Sequence, residues 1–360
     1  MGSNQLSFGI CGFGFMGRTY FAHLSNHPRA RVAAVCSKVN IKLADQEGEI
    51  GNLPTAGDKA LSLEGVNVYE DIDELIADKS VDVIAITLPT PMHADVAVQA
   101  LESGRHVICE KPMALRLRDC DRMIRAAAKA GRTLMIAQCV RFWPQYEKIK
   151  QIVDDGGVGD VKVVTLRRLS EPPDHSVGNW LLDHRRSGGA ILDMHVHDID
   201  YAHYLLGVPD NIHARGHKGP SGGIDQVTAT WGYADGRYAI VEGGWLFQAP
   251  WPFEMQILVQ GSTGTLAWSM VRGPKILHYA GGPGPLEIEV DNDADGWQRE
   301  LAYFIDCIIA GKPVERCLPE TSRISIALAH LERRAVRTGR IQSVPRSVIR
   351  GERSSSDPVS

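Results

Sequence analysis

The chain has 360 residues, 44% of them hydrophobic and 23% charged, with 39 Lys and Arg against 43 Asp and Glu for a formal charge of -4. Neither sign dominates, which argues against a nucleic-acid or membrane surface as the main partner, and at this length two domains are expected. No apolar run approaches the ~20 residues of a membrane span, and the polar start MGSNQLS lacks a signal pattern, so a cytoplasmic location is expected.

Strand and helix alternate from the start. LSFGICGFG is a short apolar strand, MGRTYFAHLSNHP a helical pattern, and RVAAVCS a second strand. A helix and loop are expected in the charged stretch from Lys38 to Asp58, then a short strand and an acidic-started helix in VNVYEDIDELIAD. VDVIAITLP is another buried strand, with Thr90 and Pro91 as N-cap and first residue of the next helix and Gly104 as its stop. HVICEKP, RDCDRMIRAAAKAG and TLMIAQC add strand, helix and strand. This regularity predicts right-handed parallel βαβ units, a doubly wound α/β domain over 1–142.

The pattern then changes. KVVTLRRLS, NIHARGHKG, DQVTATWGYADGRYAIVEGGWLFQ, FEMQILVQGSTGTLAWSM and KILHYAGG read as strands, several joined by glycine-bearing turns. With helices at WQRELAYFIDCIIAG and ETSRISIALAHLERRAV, they predict an α+β domain over 143–345, built on a large, mainly antiparallel open sheet. The Ser- and charge-rich segment 346–360 is expected to be disordered. The seven cysteines show no CxxC, and several lie in apolar runs, so reduced, buried thiols are expected.

Gly12, Gly14 and Gly17 form GxGxxG between a strand and a helix. The first permits a tight turn, the second lets backbone approach a pyrophosphate, and the third lets helix pack close to strand. The helix start then offers N–H groups and a positive dipole end. At the end of the second strand an acid normally accepts from the ribose 2′-OH. Here Ser37 stands there, twenty residues after Gly17, followed by Lys38 and with Arg18 nearby. A hydroxyl plus an ammonium suits a 2′-phosphate, so NADP is preferred and NAD remains the alternative if Lys38 is only a solvated surface lysine.

CEKPMAL ends an apolar strand on the charged pair Glu110 and Lys111. Taken alone this is equally a site or a strand-end salt bridge, and Pro112 is a candidate cis residue. In SGGAILDMHVHDIDYAHYLLG, a helix beginning near Ala190 puts Asp193, His197 and Asp200 at i, i+4 and i+7, with His195 projecting elsewhere. A carboxylate one turn from an imidazole orients it and raises its pKa, as a general acid/base needs. A structural histidine is the alternative. A metal held by Asp193, His195 and His197 is disfavoured, because HxH cannot converge on one ion from a helix, and no metal is expected.

Together these segments resemble the family of glucose-fructose oxidoreductase, inositol 2-dehydrogenase and rhizopine-catabolism protein. The resemblance runs from residue 7 to about 338. It rests on GFGFMG, TLPTPMHADVAVQALESGRHVICEKPMAL, AQCVRFWP and GGAILDMHVHDID. It implies Lys111, Asp193 and His197 as the catalytic set. The cofactor would contact Gly12, Gly14, Phe15, Met16, Gly17, Ser37, Lys38, Leu88, Pro89, Thr90, His93, Glu110, Lys111, Gln138 and Arg141. The implied reaction is hydride transfer between the nicotinamide and a hydroxyl or keto carbon of a sugar, sugar derivative or cyclitol. Trp180, Asp183 and His184 are candidate substrate contacts, mixing a stacking surface with hydroxyl-binding groups. Two rival functions remain: non-redox elimination or hydrolysis of a glycoside with tightly held nucleotide, and a non-catalytic binding role, disfavoured because lysine and histidine are both kept. Trp245, Phe247, Trp251 and Phe253 are expected on or near the outer face of the second sheet, where the resemblance implies pairing into a homodimer or homotetramer.

Overall fold

The computed structural model describes residues 5–38, 51, 53–174, 176–345 and 347–348. The expected helix and loop after Lys38 lie mostly outside the described residues, as does the tail from Arg346 apart from Ser347 and Val348. Two compact units emerge, and they do not divide at one point in the chain. The first takes Met1–Cys139, His175–Trp180 and Trp297–Arg323; the second takes Val140–Asp174, Leu181–Gly296 and Ile324–Ser360. Residues 176–180 and 297–323, expected in the second domain, cluster with the first.

In the first unit the elements alternate as β1 (Leu6–Cys11), α1 (Phe15–Ser25), β2 (Ala30–Cys36), β3 (Asn67–Tyr69), α2 (Ile72–Ala77), β4 (Val83–Ile86), α3 (His93–Glu102), β5 (His106–Glu110), α4 (Leu117–Ala130) and β6 (Leu134–Ala137). The six strands are parallel, in the order β3-β2-β1-β4-β5-β6. The order reverses between β1 and β4, so a crevice opens at the carboxyl ends of the strands. The central strands lie between helical layers, which is why they read as continuous apolar runs; Val83, Ile84, Ala85 and Ile86 all have zero exposure. Each fully buried Val or Ile contributes about 1.5–3 kcal/mol relative to exposure.

Helix α3 begins later than expected. Thr90, Pro91 and Met92 form a single 3-10 turn and the α-helix starts at His93. Proline tolerates this position because the N–H it lacks has no partner in a first turn. At the other end Gly104 turns with φ +86 and its N–H reaches Leu101 O at 2.9 Å, which stops the helix.

The second unit opens with α5 (Pro144–Asp154) and β7 (Val161–Leu169), then α6 (His184–Ser187), α7 (Ala190–Asp193) and α8 (Val196–Leu206). There follow β8 (Asn211–Lys218), β9 (Ile224–Gly232), β10 (Tyr238–Gly244), β11 (Glu254–Gly261), β12 (Thr265–Ser269), β13 (Ile276–Tyr279) and β14 (Leu286–Ile288). Helix α9 (Gly296–Ile309) lies almost wholly in the first unit, α10 (Pro319–Thr338) passes from the first into the second, and β15 (Gln342–Ser343) closes the sheet. The nine strands run β14-β13-β12-β11-β7-β10-β9-β8-β15, antiparallel except for β7 beside β10.

Helices α7 and α8 pack on one face of this sheet. Along β7, Val164, Leu166 and Arg168 are buried while Val163, Thr165 and Arg167 are half-buried, so the faces alternate as a one-sided sheet requires. Pairing register carries Thr165 into a row with Ile240 and Leu258, and on to Ala267 and Leu277.

One expectation fails here. Trp245 is 1% exposed and packs with Ala190 and Met194, with Leu182 and Phe253 against the same cluster, so Trp245 and Phe253 lie against the α7 segment and not on the outer face. The strand ends at Gly244, and the chain beyond it follows the helical side. Phe247 and Trp251 stack on each other, with centroids 4.5 Å apart. All seven cysteines are buried and free of disulfides. Among the described residues no helix is long and apolar enough to cross a membrane.

Candidate active site

The first unit supplies a nucleotide cradle. Gly12 adopts φ +99, and a Cβ there would come within 2.7 Å of Thr87 O. A Cβ on Gly17 would collide with the Gly12 carbonyl oxygen. Both glycines are therefore required by space, Gly12 also by its φ. Thr87, which the sequence reading did not single out, ties the loop down by donating from Oγ1 to Gly12 O at 2.8 Å. The first-turn N–H groups of α1, from Phe15, Met16 and Gly17, point out of the helix end by helix geometry. A crowded glycine turn leading into an 11-residue helix fits a dinucleotide pyrophosphate.

At the end of β2, Ser37 N–H donates to Tyr69 O at 3.1 Å, leaving Ser37 half-buried and Lys38 exposed. The Cys36 thiol is pushed up to about 11, by burial first and then by the Asp71 carboxylate, with Lys38 acting against it. An acid and a base thus both act on this strand end. Arg18 does not join them. It is 3% exposed, and its Nε and Nη2 donate to Gly57 O at 3.0 Å and Lys59 O at 3.1 Å. The guanidinium props the segment beside α1, which removes it as a phosphate partner.

After β4, Leu88 and Pro89 are half-buried and Thr90 is buried. His93, expected on the cofactor, is 1% exposed, and both ring nitrogens face carbonyl oxygens: Nε2 at 2.8 Å from Leu88 O and Nδ1 at 3.0 Å from Pro112 O. It clamps the loop after β4 to the bend after β5. Burial holds its pKa below the usual histidine value, against the two carbonyls, which favour the charged form.

Glu110 is 7% exposed and its Oε2 accepts from its neighbour's Lys111 N–H at 3.1 Å. Lys111 is half-buried, and the Lys111–Pro112 bond is cis. Behind Glu110, the buried Tyr20 donates to Glu300 Oε1 at 3.2 Å, and its phenol is held well above the usual value by burial and by the charges of Glu110 and Glu300. No local signal reveals Glu300, which stands 280 residues from Tyr20. Gln138 is buried at the end of β6, with Nε2 3.4 Å from Ser322 Oγ.

The second unit holds Asp193 and His197, the pair expected to do acid–base work. The expected single helix over 190–206 is broken at Met194 and His195. Ala190 O accepts from Met194 N at 3.0 Å and from His195 N at 2.8 Å, so the turn is one residue wider than an α-turn. Five ionisable side chains stand on or beside it, and three are spent on structure. His195 Nε2 is 2.8 Å from Glu332 Oε2, both at zero exposure. Arg168 Nε donates to Asp198 Oδ2 at 2.8 Å, also buried. Arg141 Nε donates to Asp200 Oδ2 at 2.7 Å and Ser325 Oγ to Asp200 Oδ1 at 2.8 Å. Asp193 and His197 alone among the five stay half-buried.

These pairs correct two expectations. Asp200 does not work beside His197 but anchors the helix. Arg141, expected on the cofactor, is 2% exposed, fork-bonded to Asp200 and stacked 4.6 Å over the Tyr204 ring. A buried guanidinium needs a carboxylate, and this one has it. Among the candidate substrate contacts, Asp183 caps α6 by accepting from Arg185 N at 3.0 Å, and the exposed His184 lies with Nδ1 3.0 Å from Ser221 O. Trp180 belongs to the other unit. Among the described residues no group of three or more His, Cys, Asp or Glu is arranged for a metal ion.

Residues 6–138 match the model described as oxidoreductase family, NAD-binding Rossmann fold, and residues 146–267 match the GFO/IDH/MocA C-terminal domain. The chain is 27% identical over 322 residues to a myo-inositol 2-dehydrogenase of Thermotoga maritima, covering 86% of this chain and 90% of that one. It is 26% identical over 273 residues to a 2,7-anhydro-N-acetylneuraminate hydratase of Escherichia coli, covering 74% and 68%. A levoglucosan dehydrogenase solved with NADH and levoglucosan shares the fold at a TM-score of 0.80, with 20% identity over 95% of this chain and 100% of that one.

Proposed function

Because the chain belongs to the GFO/IDH/MocA oxidoreductase family, we propose that it moves a hydride between a nicotinamide cofactor and the hydroxyl or keto carbon of a sugar, sugar derivative or cyclitol. The observation that carries this reading is the difference in burial along the α7–α8 segment: His195, Asp198 and Asp200 are fully buried in ion pairs, while Asp193 and His197 are half-buried.

The bound nicotinamide supplies the hydride acceptor or donor. The chain does the rest. The α1 start holds the pyrophosphate. His197 takes the proton of the substrate hydroxyl in oxidation and returns it in reduction; its Nδ1 is shielded from solvent, which favours exchange at Nε2. Lys111 holds the same substrate oxygen and stabilises the charge that develops on it, and Asp193 orients the imidazole. Trp180, Asp183 and His184 are retained as candidate sugar contacts. For the cofactor we propose a modest NADP preference from Ser37 and Lys38, limited by Asp71. We also propose a cytosolic homodimer or homotetramer, paired through the open sheet face with its row of Ile240, Leu258 and Leu277.

Absorbance at the reduced-nicotinamide band, followed across a panel of sugars and polyols with NAD and NADP, tests the reaction. Turnover with a polyol or sugar supports it, and no response across the panel overturns it. The hydratase relative favours a second reading, in which a retained nucleotide serves a reaction without net redox. Nucleotide that survives purification, together with a silent panel, would select that reading.

A further inference from the structure

We propose that Glu332, backed by Trp231, is a positioning residue that holds the widened turn between α7 and α8 and so sets the bearing of His197 relative to Asp193. This rests on the reading that those two residues perform the acid–base chemistry.

Ala190 O accepts both an ordinary and a widened turn, and the next turns close through the tighter bonds His197 N to Met194 O and Asp198 N to His195 O, so the helical register between Asp193 and His197 is broken. A widened turn has poorer internal bonding than the helix on either side, so something outside it must favour it. Of the two side chains at the break, Met194 packs on Trp245, and His195, at zero exposure, is the polar one and is held from two directions.

On one side Glu332 Oε2 lies 2.8 Å from His195 Nε2, while Glu332 Oε1 accepts from Trp231 Nε1 at 2.7 Å. With one donor on each oxygen the carboxylate cannot swing, and both bonds are charge-assisted. On the other side the imidazole lies on the β10 backbone at Gly243, where a Cβ would strike Nδ1. The pairs at Asp198 and Asp200 sit beyond His197 in the chain and hold α8 itself. Of the three buried pairs, only His195–Glu332 acts at the break. Ser325 and Glu332 are seven residues apart on α10, so one helix face supplies both the Asp200 contact and the His195 contact.

The test combines Glu332→Gln, Trp231→Phe and Gly243→Ala with His197→Ala, in the full-length chain. Steady-state turnover is measured on whichever polyol or sugar the panel identifies, and the His197 ring-proton resonance is followed by NMR through a pH titration. Glu332→Gln is expected to lower kcat roughly ten- to a hundredfold with the nucleotide KM unchanged, and to add nothing in the His197→Ala background. Gly243→Ala should reproduce the kcat loss by pushing His195 from the other side, and Trp231→Phe should give a smaller one. The His197 titration midpoint should move in all three. Wild-type kcat in Glu332→Gln, a loss that multiplies fully with His197→Ala, or an unmoved midpoint overturns the proposal. Should Glu332→Gln fail to fold, Trp231→Phe, which keeps the charge and removes one bond, decides by the same criteria. A His197→Ala variant with full turnover overturns the acid–base reading instead, and the NMR midpoint then judges the positioning separately.

Discussion

Arg141 Nε and Nη2 donate to the two carboxylate oxygens of Asp200 at 2.7 and 2.8 Å, with neither side chain more than 2% exposed. Removing one partner leaves the other charge buried without its counter-ion. Arg141→Met or Asp200→Asn is therefore expected to cost about 3–5 kcal/mol of stability, read by chemical denaturation. Nucleotide affinity of folded Arg141→Met should be close to wild type. Intact stability with weakened nucleotide binding would return Arg141 to the cofactor.

Lys111 and His197 are proposed to act on one substrate oxygen. Alanine at either position is expected to cut turnover by roughly two or more orders of magnitude. Nucleotide affinity should change little in His197→Ala. Near-wild-type turnover in that variant would sink the general-base assignment.

Gly17→Ala forces a methyl into the Gly12 carbonyl oxygen, which cannot move without opening the turn. Loss of nucleotide binding by titration calorimetry is expected, with a lowered melting temperature. Tight binding by a stable Gly17→Ala protein would show that the loop does not close on a pyrophosphate.

Ser37 and Lys38 are proposed to govern the cofactor preference. It should be modest, about 1–3 kcal/mol, or roughly ten- to a hundredfold in the ratio of catalytic efficiencies for NADP and NAD. Lys38→Ala should erode the ratio, and Ser37→Asp should reverse it by accepting the 2′-OH and repelling phosphate. A wild type that prefers NAD, with a ratio unmoved by Ser37→Asp, means that residue 37 does not face the ribose.

Burial lowers the pKa of His93, His106 and His203 below the ordinary value of 6.5. The unfolded chain therefore binds protons that the folded chain refuses. Stability is full above about pH 6.5 and declines as pH falls, by up to about 1.4 kcal/mol per pH unit for each such group. Denaturation midpoints between pH 7 and 5 measure this, and His93→Gln should flatten the slope. An unchanged slope in His93→Gln would mean that His93 protonates as readily folded as unfolded.

Much of this was legible in the residues themselves. GxGxxG between an apolar strand and a helix, and the strand–helix alternation to residue 137, depend on local turn geometry and near-neighbour burial, which a linear pattern records. EKP at a strand end and the Asp-x-x-x-His spacing mark Lys111, Asp193 and His197 as the proposed catalytic set only together with the family resemblance. What the pattern could not settle was the partner of each remaining charge. Asp200 read as a member of the His197 face, but the Arg141 fork and the Ser325 hydroxyl hold it buried. Arg18 read as a phosphate partner until two carbonyls of residues 57 and 59 took its guanidinium. Trp245 read as a surface aromatic until the chain beyond β10 packed it on Met194. A buried charge is stabilised by whichever opposite group or carbonyl the folded chain brings within about 3 Å, and for His195 that group is Glu332, 137 residues away. Local sequence determines which residues are able to do chemistry; only tertiary structure decides which of them are consumed in holding the others in place.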